Sequence, residues 1–343
     1  MTSFTHTKVV AALLLATAGA AVQAADVTIY GRAHLSLDQL DNGVDSGTNV
    51  SSNASRLGFR ASTRLDDGLE AFVQLEQTIR FDEGSGQFAD RDSYVGLRGD
   101  FGKLKIGQFD TPLKAIRSKV DQFGDRIGDI RNLTRINTGN DNIGNVFDER
   151  FKNGVAYQSP AFNNLSWAFH YTPHNTTGAT TDNVRDSYST SLTYEVKGLY
   201  LAAAYESFEG IAGIDPKAIR LGAYYDISAQ LRISALYQNA SDIPGGDRDV
   251  YGAGASYKLN KYTLRGQLYQ VSDNDSPDSG ATLAVIGVDR NLGKELTLYA
   301  AYGITSNDNA ASYRISAGGR GTSVPAIVGE NTTGLSLGII YNF

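Results

Sequence analysis

Residues 55 to 65 read Ser55-Arg56-Leu57-Gly58-Phe59-Arg60-Ala61-Ser62-Thr63-Arg64-Leu65. Leu57, Phe59, Ala61 and Leu65 share one parity, and Arg56, Arg60 and Arg64 share the other. Alternation with period two is the mark of a β-strand. One face is apolar; the other is charged and needs water beside it. The arginines cannot turn to lipid cheaply, because an Arg at the midplane of a membrane costs about 2–4 kcal/mol. Four residues of strand place neighbouring arginines roughly 13 Å apart along one wetted line.

The same alternation opens at Val27, where Val27, Ile29, Ala33, Leu35 and Leu37 oppose Thr28, Arg32, His34, Ser36 and Asp38. Segments of about ten residues follow, beginning near 27, 55, 69, 91, 103, 151, 165, 187, 199, 218, 231, 250, 262, 281, 296 and 333. Tight turns at Asp66-Asp67-Gly68, Gly99-Asp100-Phe101-Gly102, Val196-Lys197-Gly198 and Asn291-Leu292-Gly293-Lys294 alternate with long polar loops at 41–53, 173–186, 241–249, 273–280 and 305–331. Sixteen strands, with short turns at one end and long loops at the other, predict an all-β fold: a 16-stranded antiparallel transmembrane β-barrel. Closure leaves no unpaired backbone edge in lipid and lets each strand face lipid and water at once. Aromatic residues on the apolar parity, among them Phe151, Tyr157, Trp167, Phe169, Tyr171, Tyr188, Tyr194, Tyr205, Tyr225, Tyr237, Tyr251 and Tyr257, fit girdles at the two lipid interfaces.

Both ends of the chain fit export to an outer membrane. Lys8, the weakly apolar run Val9 to Val22 and the small residue Ala24 read as a signal peptide over residues 1–24, with the barrel in 25–343. That run is too short for a membrane helix, and no later stretch is long and apolar enough for one. In the last strand Leu335, Leu337, Ile339, Tyr341 and Phe343 share a parity, and Phe343 ends the chain as an aromatic signal for barrel-assembly machinery. There is no Cys among 343 residues, but there are 19 Tyr and 37 Gly, and the mean hydropathy is −0.26. Disulfides and thiol chemistry are thereby excluded. A net charge of −6 gives no reason to expect nucleic acid as a partner.

Asp26-Val27-Thr28-Ile29-Tyr30-Gly31, Ser55-Arg56-Leu57-Gly58-Phe59-Arg60 and Arg91-Asp92-Ser93-Tyr94-Val95-Gly96-Leu97 resemble strands of the general Gram-negative porins of the Neisseria and Burkholderia type. Gly107 before Thr111-Pro112, Asp121-Gln122-Phe123-Gly124-Asp125 and Asn153-Gly154-Val155-Ala156-Tyr157-Gln158-Ser159-Pro160 extend the resemblance, which runs from the mature start to Phe343. Gly154 stands where that family usually has Ser. The resemblance implies a passive, water-filled channel for small hydrophilic solutes, a homotrimer set in outer-membrane lipid and lipopolysaccharide, and a third loop folded inward to narrow each pore.

Residues 111 to 150 show little alternation and are far longer than a connection requires, which fits a constriction loop. On the wall, Arg56, Arg60, Arg64, Arg98 and Arg150 share the inward parity. The resemblance sets basic residues here against acids of the third loop, for which Asp121 and Asp125 are the candidates. Opposed rims of that kind would create a transverse field and mild anion selectivity; alternatively, the arginines simply pair with loop acids and hold the loop. The excess of basic residues in the loop leaves ion preference open.

No cofactor or metal is expected. His34, His170 and His174 lack a metal-binding spacing, and Asp273, Asp275 and Asp278 lack the closing Glu of a calcium loop. Gly334-Leu335-Ser336-Leu337-Gly338 matches a nucleophile-elbow pattern but falls in mid-strand with no helix after it. The reading is therefore a general diffusion channel and not an enzyme. A substrate-specific anion channel, and an outer-membrane adhesin or barrel enzyme, stand as alternatives.

Overall fold

In the computed structural model, the described residues are 26–86, 88–137, 145–173, 186–210, 214–317 and 324–343. The signal segment 1–24, His174, most of the loop 173–186 and parts of residues 111–150 and 305–331 lie outside them. Seventeen hydrogen-bonded segments form one sheet. Two of these, Ser46–Ser52 and Arg56–Arg64, are successive halves of a single strand, since both pair with Asp26–Asp41. The barrel thus has sixteen strands, all antiparallel, and it closes where Asp26–Asp41 pairs with Thr332–Asn342. Phe343 completes the seam: Gly31 N donates to Phe343 O at 2.8 Å, and Phe343 N donates back to Gly31 O at 3.1 Å.

One expected loop is shorter than the sequence suggested. Residues 41–53 are mostly strand, with a turn only at Asn42–Asp45, where Asn42 Oδ1 accepts from the backbone of Val44 and Asp45. Ser, Thr and Asn carry no apolar alternation, yet their backbones extend the ladder past the end of the lipid-facing pattern. The break between the halves, at Asn53 to Ser55, is held by Asn53 N donating to His34 O and by the Ser55 hydroxyl, which bonds the same backbone.

The aromatic residues expected at the lipid interfaces face outward with one exception. Trp167, Tyr205, Tyr225, Tyr237, Tyr251 and Tyr257 are exposed on the outer surface, whereas Phe151 is fully buried inside. The register shifts between Gly107–Phe109 and Phe151–Gly154, with one extra residue on the Phe151 strand at Asn153 (φ +54°), and this turns Phe151 inward opposite Phe109. There Phe151 meets Phe208 at 5.6 Å.

The apolar core of this molecule lies within the lumen, under the loop that follows Gly102–Asp110. Thr111 caps the helix Pro112–Val120: its hydroxyl accepts from Lys114 N at 3.2 Å, and Pro112 stands in the first turn, where a missing N–H costs nothing. Leu113, Ile116 and Val120, then Phe123, Ile127, Ile130 and Leu133, are all buried in one cluster with inward residues of the barrel wall. Each such side chain contributes roughly 1.5–3 kcal/mol when fully buried. Two glycines permit the close approach. A Cβ on Gly222 would lie 2.2 Å from Ile116, and one on Gly128, at φ +76°, would lie 2.3 Å from Val285.

The candidate pore constriction

Behind the loop, charge is paired and dry. Arg117 reaches three carboxylates: Asp129 at 2.9 Å, Asp148 at 3.0 Å and Asp121 at 3.3 Å. Arg220, on the strand Lys217–Asp226, donates to both oxygens of Asp148 at 2.7 and 2.8 Å and also to Gln238. Thr134 donates to Asp148 as well. Burial raises the Asp148 carboxyl, but the two guanidiniums outweigh it and hold the group well below the usual carboxylate range. Asp121 moves the other way: burial and the neighbouring charge of Asp129 push it up to about 8 despite Arg117. With three carboxylates against two guanidiniums, a proton on Asp121 brings the buried cluster to neutrality.

In front of the loop is a polar cavity of ≈ 540 Å³. Nine arginines and one lysine line it, against five carboxylates. On the barrel wall, Glu76 gathers three neighbours: Arg91 Nε donates at 2.6 Å, Tyr30 OH donates at 3.0 Å, and Arg56 Nε stands 3.6 Å away. Arg150 Nε donates to Asp92 at 2.6 Å and lies 3.1 Å from Asp110, which also holds Lys114 at 2.9 Å. Burial draws the Lys114 ammonium down to about 8, against the pull of Asp110. Arg60 differs from these, because its Nε donates to the neutral amide of Gln74 at 2.9 Å. Its charge is not cancelled by the bond that holds it.

The loop presents both signs to this cavity. Asp125, at φ +62°, lies 4.0 Å from Arg131; burial raises its carboxyl, and Arg131 and then Arg32 outweigh that and hold it well below its ordinary value. Arg126 forms a forked pair with Asp289 at 2.5 and 3.3 Å, and Arg265 bonds the same carboxylate at 2.8 Å.

Of the residues singled out in the sequence, Arg56, Arg60, Arg150, Asp121 and Asp125 line this one cavity. Arg64 and Arg98 do not. Arg98 pairs with Glu70 at 2.5 and 2.9 Å at the short-turn end, in a separate cleft with Gly68 and Lys103. Arg64 is exposed at the same end, opposite Glu70 in register. Parity put all five arginines on the inner face but did not fix their height along the axis. Asp121 touches the cavity, yet its side chain is fully buried, because it also accepts from the backbone of Phe123 and Ile130 and so shapes the loop. The expected basic wall facing an acidic loop is therefore modified: basic groups stand on both sides, with Asp125 between them. Arg32, Arg91, Arg126, Arg131 and Arg265 were not among the candidates. Both Arg32, by sharing the parity of His34 in the first strand, and Arg265, by sharing that of Thr263 and Gln267 against Tyr262, Leu264 and Leu268, were signalled by alternation.

Ser336 lies in the last strand and donates to Asp38 at 2.6 Å, while His34 Nε2 meets Tyr299 OH at 3.0 Å. Serine and imidazole are not bonded to each other, and no helix follows Ser336.

A family model for Gram-negative porins matches residues 10–310. Outer membrane porin protein 32 of Delftia acidovorans is 30% identical over 358 aligned residues, covering 97% of this chain and 99% of its own. The major outer membrane protein P.IB of Neisseria gonorrhoeae is 28% identical over 187 residues, 51% of this chain and 50% of its own. An anion-selective porin from Comamonas acidovorans has a similar structure, with a TM-score of 0.79 at 25% identity, covering 93% of this chain and 100% of that one. OmpT of Vibrio cholerae, at a TM-score of 0.69 and 18% identity, shares the fold. A barrel whose lumen is narrowed by a packed loop, matched by that model over most of its length, is an outer-membrane diffusion channel, and the chain belongs to the Gram-negative porin family.

Proposed function

We propose that the pore passes small hydrophilic solutes with a mild preference for anions, and that the basic excess around the constriction sets that preference. The observation that carries this reading is Arg60, a lumenal guanidinium bonded to a neutral amide in a cavity lined by ten basic and five acidic side chains, of which Arg117 is tied into the buried cluster. A fixed positive excess at a narrow point raises the local concentration of anions and repels cations. The anion-selective relative from Comamonas acidovorans supports it. Under a salt gradient, the wild-type channel is expected to give a zero-current potential of anionic sign, and Arg60→Ser is expected to move it toward cation preference; an unchanged potential overturns the reading.

Cleavage after Ala24, trimeric assembly, recognition of the Phe343 strand by barrel-assembly machinery and contact with lipopolysaccharide belong to the same proposal, as does the absence of enzymatic activity. Conductance steps in groups of three would support the trimer. A second reading, a channel specific for one class of anion, is favoured by a row of cations backed by rings below the constriction. Lys105 lies 4.8 Å from the Tyr94 ring and 4.6 Å from that of Phe109, and Lys103 lies 5.8 Å from that of Phe72. Current that saturates with one anion and not with chloride would select it.

A further inference from the structure

Two tyrosines point into the lumen and lie flat against a glycine on the strand beside them. Tyr30 stands opposite Gly58 in register, and Tyr299 stands opposite Gly338. A Cβ on either glycine would fall 2.2 Å from the tyrosine ring, so only glycine leaves room. Each ring is also tied at its hydroxyl, Tyr30 to Glu76 at 3.0 Å and Tyr299 to His34 at 3.0 Å. The remaining face of each ring carries a guanidinium. Arg60 lies 4.1 Å from the centre of Tyr30, and Arg126 lies 4.3 Å from the centre of Tyr299.

We propose that Tyr30 and Tyr299, seated on Gly58 and Gly338, are positioning residues for ion selectivity, acting through Arg60 and Arg126. An arginine projecting into water samples many rotamers, and its charge is spread over the volume they sweep. A ring face attracts the guanidinium through its quadrupole and confines it to one plane. A glycine on the neighbouring strand fixes the height of that ring above the wall, and so fixes how far the charge stands into the channel. In both seats an acid or amide holds the guanidinium edge-on: Gln74 for Arg60 and Asp289 for Arg126. The two seats repeat one arrangement on neighbouring strands across the closing seam, each with its own glycine, hydroxyl partner and guanidinium.

The inference rests on the anion-preference reading and is tested by a cycle that separates the two. Zero-current potentials are measured for folded wild type, R60S, Y30L, Y30F and Y30L/R60S in planar bilayers. R60S is expected to lower the anion-to-cation permeability ratio. Y30L is expected to lower it by a smaller amount, roughly 1.5- to 2-fold, as one loosened charge among several implies. Y30F keeps the ring face and is expected to stay close to wild type. Y30L/R60S should match R60S, because the tyrosine has no charge left to place. If R60S shifts the potential and Y30L does not, or if Y30L lowers the ratio equally with Arg60 absent, the positioning role is overturned while the anion reading stands. No shift with R60S removes the anion reading and this inference with it. Should Y30L not fold, the same cycle with Y299L and R126S carries the same outcomes.

Discussion

The two sides of the lumen are built from the same period-two strands but are filled differently. From Ser187–Val196 round to Ala281–Asn291, many inward residues are small, apolar or amide, Ala202, Ala204, Gly222, Leu236, Gln238, Gln267 and Val285 among them, and the charged Arg220 and Asp289 bond groups of the loop. From Asp26–Asp41 to Gly102–Asp110, they include Arg32, Arg56, Arg60, Gln74, Glu76 and Tyr94. The first side holds the constriction loop, and the second holds water. What separates lid from channel is thus the inward residue set, while the outward set stays apolar all round. Polar contacts on the loop side are spent on the loop backbone, as where Gln267 Nε2 donates to Gly128 O at 2.8 Å and Gln238 Nε2 donates to Thr134 O at 2.9 Å.

The comparison breaks most visibly if the loop side is made to lose its ionic anchor. Arg220→Met removes the donor to Gln238 Oε1 and a side-chain bond to the Leu113 carbonyl, and leaves Asp148 with Arg117 as its one guanidinium. Removing one partner from a buried network of this kind costs about 3–5 kcal/mol. Amide hydrogen exchange over residues 112–134 should speed up, protease should cut the loop, and single-channel current should become noisier. Arg60→Ser on the open side should leave exchange in the loop as it was. Equal loop protection in both variants would show that the two sides are not energetically distinct.

A pH titration sharpens the same contrast. The Asp121 carboxyl in the folded loop is raised to about 8, far above its ordinary value near 3.8. Below that ordinary value, folded and unseated loops both carry the proton, and the seat is at full strength with respect to this group. As pH rises toward 8, the unseated loop ionises first, so the contribution of Asp121 to seating is progressively lost and does not fall further above about 8. Loop exchange rates, corrected for their intrinsic pH dependence, should therefore rise between pH 5 and 8 in the wild type, as pH-linked loosening over that window implies. Asp121→Asn should flatten this rise, and a slope surviving in that variant would assign the effect elsewhere.

Much of this contrast was already written in the chain. Alternation at 55–65 and its repeats set the strand number, the closing seam and the lumenal side of the arginines, because period two is a local property that any register preserves. The lack of alternation across 111–150 was equally plain. Three things were not. The strand at 46–52 has no apolar alternation, the inward turn of Phe151 depends on a register shift, and the height of Arg98 along the axis depends on strand stagger. Partner choice was also hidden: Asp121 and Asp125 lie four residues apart with identical chemistry, yet one is folded under Arg117 and the other faces the channel. Only the packed loop distinguishes them.

Arg98 gives the smallest expected effect and the finest test of that point. Its sequence parity is the same as that of Arg60, and sequence reading alone would assign both to the selectivity of the pore. The structure places Arg98 in a solvent-exposed pair with Glu70 near the short-turn end, in a cleft apart from the constriction, where the carboxylate offsets its charge. An exposed pair beyond about a Debye length, roughly 8 Å in physiological salt, is largely screened from ions in the narrow region. Arg98→Ser should therefore leave the zero-current potential within error of wild type, and Arg60→Ser with Arg98→Ser should match Arg60→Ser alone. A shift with Arg98→Ser comparable to that of Arg60→Ser would mean that selectivity is set along the whole open wall, and the division between constriction and short-turn mouth would have to be redrawn.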